Sequence, residues 1–231
     1  MTNSTPRSRL DRQLRLDLDR DPSHAREDFI VSRSNEAAVA AIDGWPRWPT
    51  GKLALVGPAG SGKTHLARSW AASVGAVIAE PGAIEILAAG ASPILLEDAD
   101  RRWEEDSLFH VMNMADSGGG LLITGQTAPS SWPVRLADLR SRLNALTVAQ
   151  IEPPDDVVLL GVMKKLFSER NIEPKPGVEA YILRRIERSP PAVQDIVRRV
   201  DELAGAERRE ITRALVGRIV QDEEGTLDPT R

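Results

Sequence analysis

The stretch GPAGSGKT occupies residues 57–64 and consists of Gly57, Pro58, Ala59, Gly60, Ser61, Gly62, Lys63 and Thr64. It matches the phosphate-binding pattern G-x-x-x-x-G-K-[ST] and lies between an apolar, strand-length segment and a segment with helical periodicity. Its glycines let backbone N–H groups point towards phosphate oxygens, and the following helix adds the positive end of its dipole. A glycine-rich turn that binds nothing is the alternative, but strand, loop and helix together favour a nucleotide site.

Side chains of the loop and of a second acidic element have distinct roles in such sites. Lys63 would reach the β- and γ-phosphates, and the Thr64 hydroxyl would hold Mg²⁺. After the apolar segment 94–96 we assign Glu97 to the metal position and Asp98 to the water-activating position. The usual order is Asp followed by Glu or Asp, and a misplacement of about 1 Å can lower a rate ~100-fold. We therefore expect poor ATP hydrolysis by this chain itself.

Apolar, strand-length segments alternate with helical patterns around this loop. The strand-like segments are 53–56, 77–79, 94–96, 121–124 and 147–151, and the helical patterns are 36–42, 64–74, 84–88, 107–115 and 136–143. Short apolar strands separated by amphipathic helices indicate an α/β fold with a parallel sheet covered on both faces.

After Pro153 and Pro154 the strand signal stops. Helical patterns follow at 156–169, 177–188, 191–204 and about 209–221. The sequence therefore predicts three regions. They are a flexible tail at 1–27, a P-loop nucleotide-binding subdomain at 28–152, and a small all-helical lid subdomain at 153–231.

Polar residues after the segment 121–124 extend the candidate site. Thr124 lies at the end of that segment, where P-loop ATPases with a helical lid keep a polar group near the γ-phosphate. Arg142 belongs to the sequence RSRL at 140–143. An exposed arginine on a surface helix is the plain interpretation. An arginine at a subunit edge would instead enter a neighbour's nucleotide site and stabilise charge in the transition state.

Composition excludes several classes of protein. The 231 residues include no cysteine, which excludes a disulfide framework and a metal site built on cysteine. A formal net charge of -4 gives no overall attraction to nucleic acid or to an anionic membrane. The N-terminus lacks an apolar signal core, and the longest apolar runs are of strand length. We therefore expect a cytoplasmic protein that does not contact membranes.

The N-terminal tail carries an apolar strip in the sequence QLRLDL at 13–18. In an extended backbone Leu14, Leu16 and Leu18 would share one face and the charged residues the other. A strand at the edge of the protein's own sheet is one alternative. A helix is another, because Leu10, Leu14 and Leu18 share a helical face.

These motifs together resemble a known family. The sequences GPAGSGKT, ILLED, LLITGQTAP, RSRL followed closely by IEPPD, and the helical C-terminal part are similar to the AAA+ module of the bacterial replication initiator DnaA. The closer likeness is to the Hda (HdaA) family of DnaA-related AAA+ regulators, whose chains begin with a Gln-Leu-x-Leu-type motif that binds the sliding clamp. The resemblance extends from about residue 12 to residue 205.

The resemblance implies a role in preventing repeated initiation of replication. A member of this family binds ADP or ATP, sits on the DNA-loaded sliding clamp and promotes hydrolysis of ATP held by DnaA. Gln13, Leu14, Leu16 and Leu18 would be the residues that bind the clamp. Arg142 would be the arginine finger, and with Asp98 it forms the predicted catalytic set. We expect no sequence-specific DNA binding, because the chain has no room for a helix-turn-helix domain after the lid. Self-association into a dimer or larger oligomer stays open.

One departure from the family concerns the lid. Gln194 stands where the family has a nucleotide-sensing arginine, and a neutral amide cannot offer the charged fork of a guanidinium to phosphate. Two rival functions stay open. A DNA-remodelling ATPase, similar to a helicase loader or a clamp loader, would show DNA-stimulated ATP turnover and a basic face. A small-molecule P-loop kinase would need lid arginines that converge on the phosphates.

Overall fold

The described part of the chain forms a five-stranded parallel sheet with helices on both faces. The structure is a computed structural model that describes residues 24–82, 92–116, 118–207 and 209–226. The strands are β1 (Lys52–Val56), β2 (Val77–Ala79), β3 (Ile94–Leu96), β4 (Leu121–Gly125) and β5 (Thr147–Gln150). Their order in the sheet is β2-β3-β4-β1-β5, and all neighbouring strands are parallel. This architecture confirms the predicted α/β class.

Helices connect the strands and continue after the sheet. They are α1 (Glu36–Asp43), α2 (Lys63–Val74), α3 (Ala99–Arg102), α4 (Glu105–Asp116), α5 (Ala137–Asn144), α6 (Asp156–Glu169), α7 (Val178–Leu183), α8 (Pro190–Glu207) and α9 (Arg213–Thr226). No helix among the described residues is both long and apolar enough to cross a bilayer. The helix predicted at 84–88 lies outside the described residues, as do the proposed clamp-binding residues Gln13, Leu14, Leu16 and Leu18.

Three helices differ from the sequence prediction. The helix predicted at 177–188 ends at Leu183, and turns separate it from α8, whose first residues Pro190 and Pro191 lack backbone N–H groups and suit a first helical turn. Helix α9 begins after Thr212, whose hydroxyl accepts the N–H of Leu215 at 3.3 Å as an N-cap does. Helix α3 is a single four-residue turn, too short to show a periodic pattern.

Apolar side chains form separate clusters on the two faces of the sheet. Strand β1 is buried along its whole length, and its alternate residues serve different faces. Ala54 and Val56 pack with α4 and α5, whereas Leu53 and Leu55 pack with α1 and α2. Helices α6 to α9 pack around a third cluster of their own. The division of the chain near residue 152 stays a prediction.

Candidate functional site

The phosphate-binding loop lies at the carboxyl end of β1, the strand next to the edge strand β5. Two of its glycines are required by its geometry. A Cβ atom on Gly57 would lie 2.4 Å from the carbonyl oxygen of Ile151, so no side chain fits there. Gly62 has φ +95°, a left-handed conformation that side chains disfavour. The loop can therefore run close to β5 and then turn into α2, as a phosphate cradle requires.

The side chain of Lys63 lies over the loop. Its Nζ atom donates to the carbonyl oxygens of Gly57 and Pro58, both at 2.8 Å. Burial lowers the pKa of Lys63, and the nearby carboxylates of Asp98 and Asp100 partly oppose this effect. The ammonium group is thus held at the place where the loop would receive phosphate oxygens.

Asp98, Asp100 and Thr124 meet at the same edge of the sheet. Asp98 has φ +50° and ψ +46°, an uncommon conformation for a residue other than glycine. Its N–H donates to the Thr124 hydroxyl at 2.9 Å, and Thr124 is 1% exposed. A strained backbone that its surroundings hold in place is typical of functional sites. Asp100, which no sequence motif marks, accepts the N–H of Gln126 at 2.8 Å.

Glu97 follows β3 and points into the protein. Its side chain is 6% exposed, and its Oε2 atom accepts two hydrogen bonds from Arg68, at 3.0 Å from Nε and 2.7 Å from Nη2. The pattern of a P-loop site predicts a metal beside this carboxylate. The structure instead pairs it with an arginine of α2 that the sequence analysis did not consider.

The first turn of α8 and a segment before α1 cover the loop. A Cβ atom on Gly60 would lie 3.4 Å from the Cδ atom of Pro191, in the first turn of α8. Gln194 lies one turn further along this helix and is exposed. On the other side, Phe29 approaches Gly62, with 3.2 Å between its Cε2 atom and the position of a Cβ. No sequence motif marks Phe29 as part of the site.

Arg142 lies on α5, away from the loop. Its Nη1 atom donates to Asp116 at 2.5 Å and its Nε atom to Asp138 at 3.2 Å. Asp116 also pairs with Lys52, and the hydrogen bond from Lys52 is the main cause that lowers the pKa of Asp116. Lys52 is the first residue of β1, whereas the loop follows Val56. Four residue steps along a strand separate these ends by about 13 Å. Arg142 therefore lies at the edge of the sheet opposite its own loop.

Similar structures share this arrangement of sheet and helices. Domain III of the replication initiation protein DnaA from Thermotoga maritima has a TM-score of 0.74 at 20% identity and covers 87% of this chain and 97% of that chain. AMPPCP-bound DnaA from Aquifex aeolicus has a TM-score of 0.65 at 18% identity, covering 81% of this chain and 67% of that chain. A RuvB variant from Thermotoga maritima has a TM-score of 0.67 at 17% identity, covering 86% of this chain and 72% of that chain. The chain therefore has the fold that these structures share.

In sequence, the chain is similar to DnaA. The chromosomal replication initiator protein DnaA of Caldanaerobacter subterraneus subsp. tengcongensis is 23% identical over 197 residues, which cover 72% of this chain and 44% of that protein. The chain thus spans less than half the length of the curated relatives that it matches. No protein family model matches the chain.

Proposed function

We propose that this chain is a DnaA-related AAA+ regulator, similar to the Hda family, that stimulates hydrolysis of ATP bound to DnaA. The position of Arg142 carries this proposal. Its guanidinium lies at the edge of the sheet opposite its own phosphate-binding loop, and a third of its side chain is exposed. An arginine at that edge cannot serve its own nucleotide, but it can enter the site of a neighbouring AAA+ module. Arginine fingers of this kind accelerate hydrolysis by about 10³- to 10⁵-fold.

The cofactor that this proposal requires is ADP or ATP. The AMPPCP-bound DnaA structure, which is similar in fold, supports an adenine nucleotide at the loop. Lys63 would contact the phosphates, Thr124 would hold Asp98, and Asp98 would orient the attacking water. Gln194 would offer only a neutral amide from the lid. Such a site binds nucleotide well and hydrolyses it slowly, which suits a protein that acts on its partner's ATP.

The location of the protein is the second part of the proposal. Gln13, Leu14, Leu16 and Leu18 would bind the DNA-loaded sliding clamp as a short peptide motif, as the resemblance implies. A tether on DNA raises the effective concentration of Arg142 near DnaA bound to the same DNA. This mode of recruitment needs no sequence-specific DNA binding by the chain, which agrees with its net charge of -4.

Single-turnover hydrolysis of ATP prebound to DnaA tests the proposal. The chain is added with and without sliding clamp loaded on DNA, and the rate of phosphate release is measured. We expect acceleration only when loaded clamp is present. The chain's own ATP turnover, with and without DNA, is measured in parallel. If DnaA-bound ATP is not hydrolysed faster but DNA stimulates the chain's own turnover, the protein is a DNA-remodelling ATPase and the proposal is wrong.

A further inference from the structure

Arg68 makes a contact that neither the loop pattern nor the family resemblance predicts. It lies on α2 four residues after Thr64, so the two side chains share one face of the helix. Both its Nε and Nη2 atoms donate to Oε2 of Glu97, at 3.0 and 2.7 Å. Two donors on one oxygen make a charge-assisted contact that is stronger than a single neutral hydrogen bond. Arg68 thus holds the carboxylate that the sequence assigns to Mg²⁺.

The residues of this site do not fit a divalent cation. Mg²⁺ needs oxygen ligands at about 2.1 Å in nearly octahedral geometry. Oε2 of Glu97 is engaged by the guanidinium. Oε1, which is buried and has no hydrogen-bond partner in the described part of the chain, is the one oxygen of this carboxylate left for a cation. A dication at either oxygen would lie close to the permanent positive charge of Arg68. Thr64, the other assigned ligand, is exposed in the first turn of α2, and its neutral hydroxyl brings no negative charge that would offset Arg68.

The buried negative charge of Glu97 needs a positive partner, and this need indicates the role of Arg68. The Glu97 side chain is 6% exposed, and a carboxylate removed from water needs a positive partner. In a metal-dependent site the cation provides that charge, and it also screens the phosphates. Arg68 provides a positive charge beside Glu97 from within the chain, and its own side chain is 40% exposed.

We propose that the guanidinium of Arg68 replaces the divalent cation beside Glu97, so that ADP or ATP binds with little dependence on Mg²⁺. This inference rests on the proposed nucleotide site. An arginine cannot dissociate or be chelated, so bound nucleotide is retained when Mg²⁺ is scarce. Phosphoryl transfer relies on the metal to neutralise developing charge, so the replacement also slows hydrolysis by the chain itself.

Nucleotide titration of the full chain tests this inference. Fluorescent ADP and ATP analogues are added to nucleotide-free protein, once with excess Mg²⁺ and once with EDTA, and the dissociation constants are compared. For the wild-type protein we expect the two constants to agree within about threefold, because loss of a metal–phosphate contact would weaken binding by roughly tenfold or more.

Two variants and a control identify the residue responsible. Arg68→Ala releases the Glu97 carboxylate for a metal, so we expect binding at least about tenfold tighter with Mg²⁺ than with EDTA. Combining Arg68→Ala with Glu97→Gln should abolish this dependence. The double variant also leaves no unpaired buried charge, so it folds even if the single variant does not. Arg102→Ala removes an exposed arginine that pairs with Glu80 at 2.8 Å and should behave as wild type.

The possible results separate the two proposals. If the wild-type protein binds nucleotide more than about tenfold more tightly in Mg²⁺ than in EDTA, the proposal that Arg68 replaces the metal is wrong. The proposed nucleotide site would still stand. Equal binding by Arg68→Ala in Mg²⁺ and EDTA overturns the role of Arg68. Absence of binding under both conditions overturns the nucleotide site, and this inference with it.

Discussion

Arg142 is the residue on which the proposed activity depends, and its contacts lie at the protein surface. It pairs with Asp116 and Asp138, and its guanidinium lies 5.5 Å from the centre of the Phe109 ring. Exposed ion pairs contribute little to folding. We therefore expect Arg142→Ala to fold and to bind nucleotide as the wild-type protein does. In single-turnover assays it should lose stimulation of DnaA-bound ATP hydrolysis by about 10³-fold or more.

Arg140→Ala is the matched control for this prediction. Arg140 lies on the same helix, but its guanidinium donates to the backbone carbonyl of Val134 and makes no ion pair with Asp116 in the described part of the chain. We expect this variant to stimulate hydrolysis normally. If Arg142→Ala retained stimulation, or if both variants lost it equally, the assignment of the arginine finger would be wrong.

Single residues also show where prediction from the sequence ends. The loop at 57–64 could be predicted from the sequence because consecutive residues make up the whole motif. The contacts of Glu97 with Arg68 and of Asp100 with Gln126 join residues 29 and 26 positions apart. These contacts depend on how α2 and α3 pack against the sheet, and local sequence patterns do not predict that packing. The four-residue spacing of Thr64 and Arg68 was the only available signal.

At the scale of elements, Asp155 fixes the start of the helical C-terminal part. Its side chain accepts the N–H of Val158 at 3.0 Å and caps α6. We expect Asp155→Ala to lower the free energy of unfolding by about 1 kcal/mol, the usual value of an N-cap. Asp156→Ala is the control, because Asp156 belongs to the same turn but, within the described residues, makes only an exposed pair with Arg188. It should change the free energy of unfolding by less than about 0.5 kcal/mol.

The contribution of the Asp155 N-cap to the free energy of unfolding should also depend on pH. The hydrogen bond from Val158 is the main cause that lowers the pKa of Asp155 below its usual 3.8. The stabilisation is therefore present above the usual value and is lost as the pH falls through the lowered pKa of the folded protein. Urea unfolding of the wild type and Asp155→Ala at neutral and acidic pH measures this loss. A difference in unfolding free energy that stayed constant into acid would contradict the capping role.

The predictability of the elements follows from their length and burial. Strands β1, β3 and β4 are buried throughout and read as continuous apolar runs, which the sequence shows directly. Helix α3 has four residues and the segment around Phe29 has no periodicity, so neither produces a pattern. Helix α3 nevertheless lies beside the site, because short connections after parallel strands converge at one edge of the sheet. The segment around Phe29 precedes every strand and reaches the loop only through its contact with Gly62.

For the whole molecule, the strand order explains why the phosphate-binding loop and Arg142 are far apart. Strands β4 and β5 run parallel on either side of β1, so α5 must return the chain to the amino edge of the sheet before β5 begins. Arg142, near the end of α5, therefore lies far from the loop. This separation could be predicted from the alternation of strands and helices along the sequence. The packing of α8 against Gly60 was not predictable, since the Pro153-Pro154 connection does not determine how the helical part turns.

The tail and the finger should act independently, because they belong to different parts of the molecule. Replacing Gln13 and Leu16 with alanine should abolish binding to the sliding clamp in a pull-down assay and leave nucleotide affinity unchanged. Leu10→Ala is the control that separates the extended motif from the helical alternative. In the extended motif Leu16 contributes and Leu10 does not, whereas a helical face would use Leu10, Leu14 and Leu18. Loss of nucleotide binding together with clamp binding would show that the tail supports the fold, and the proposed tether would then be wrong.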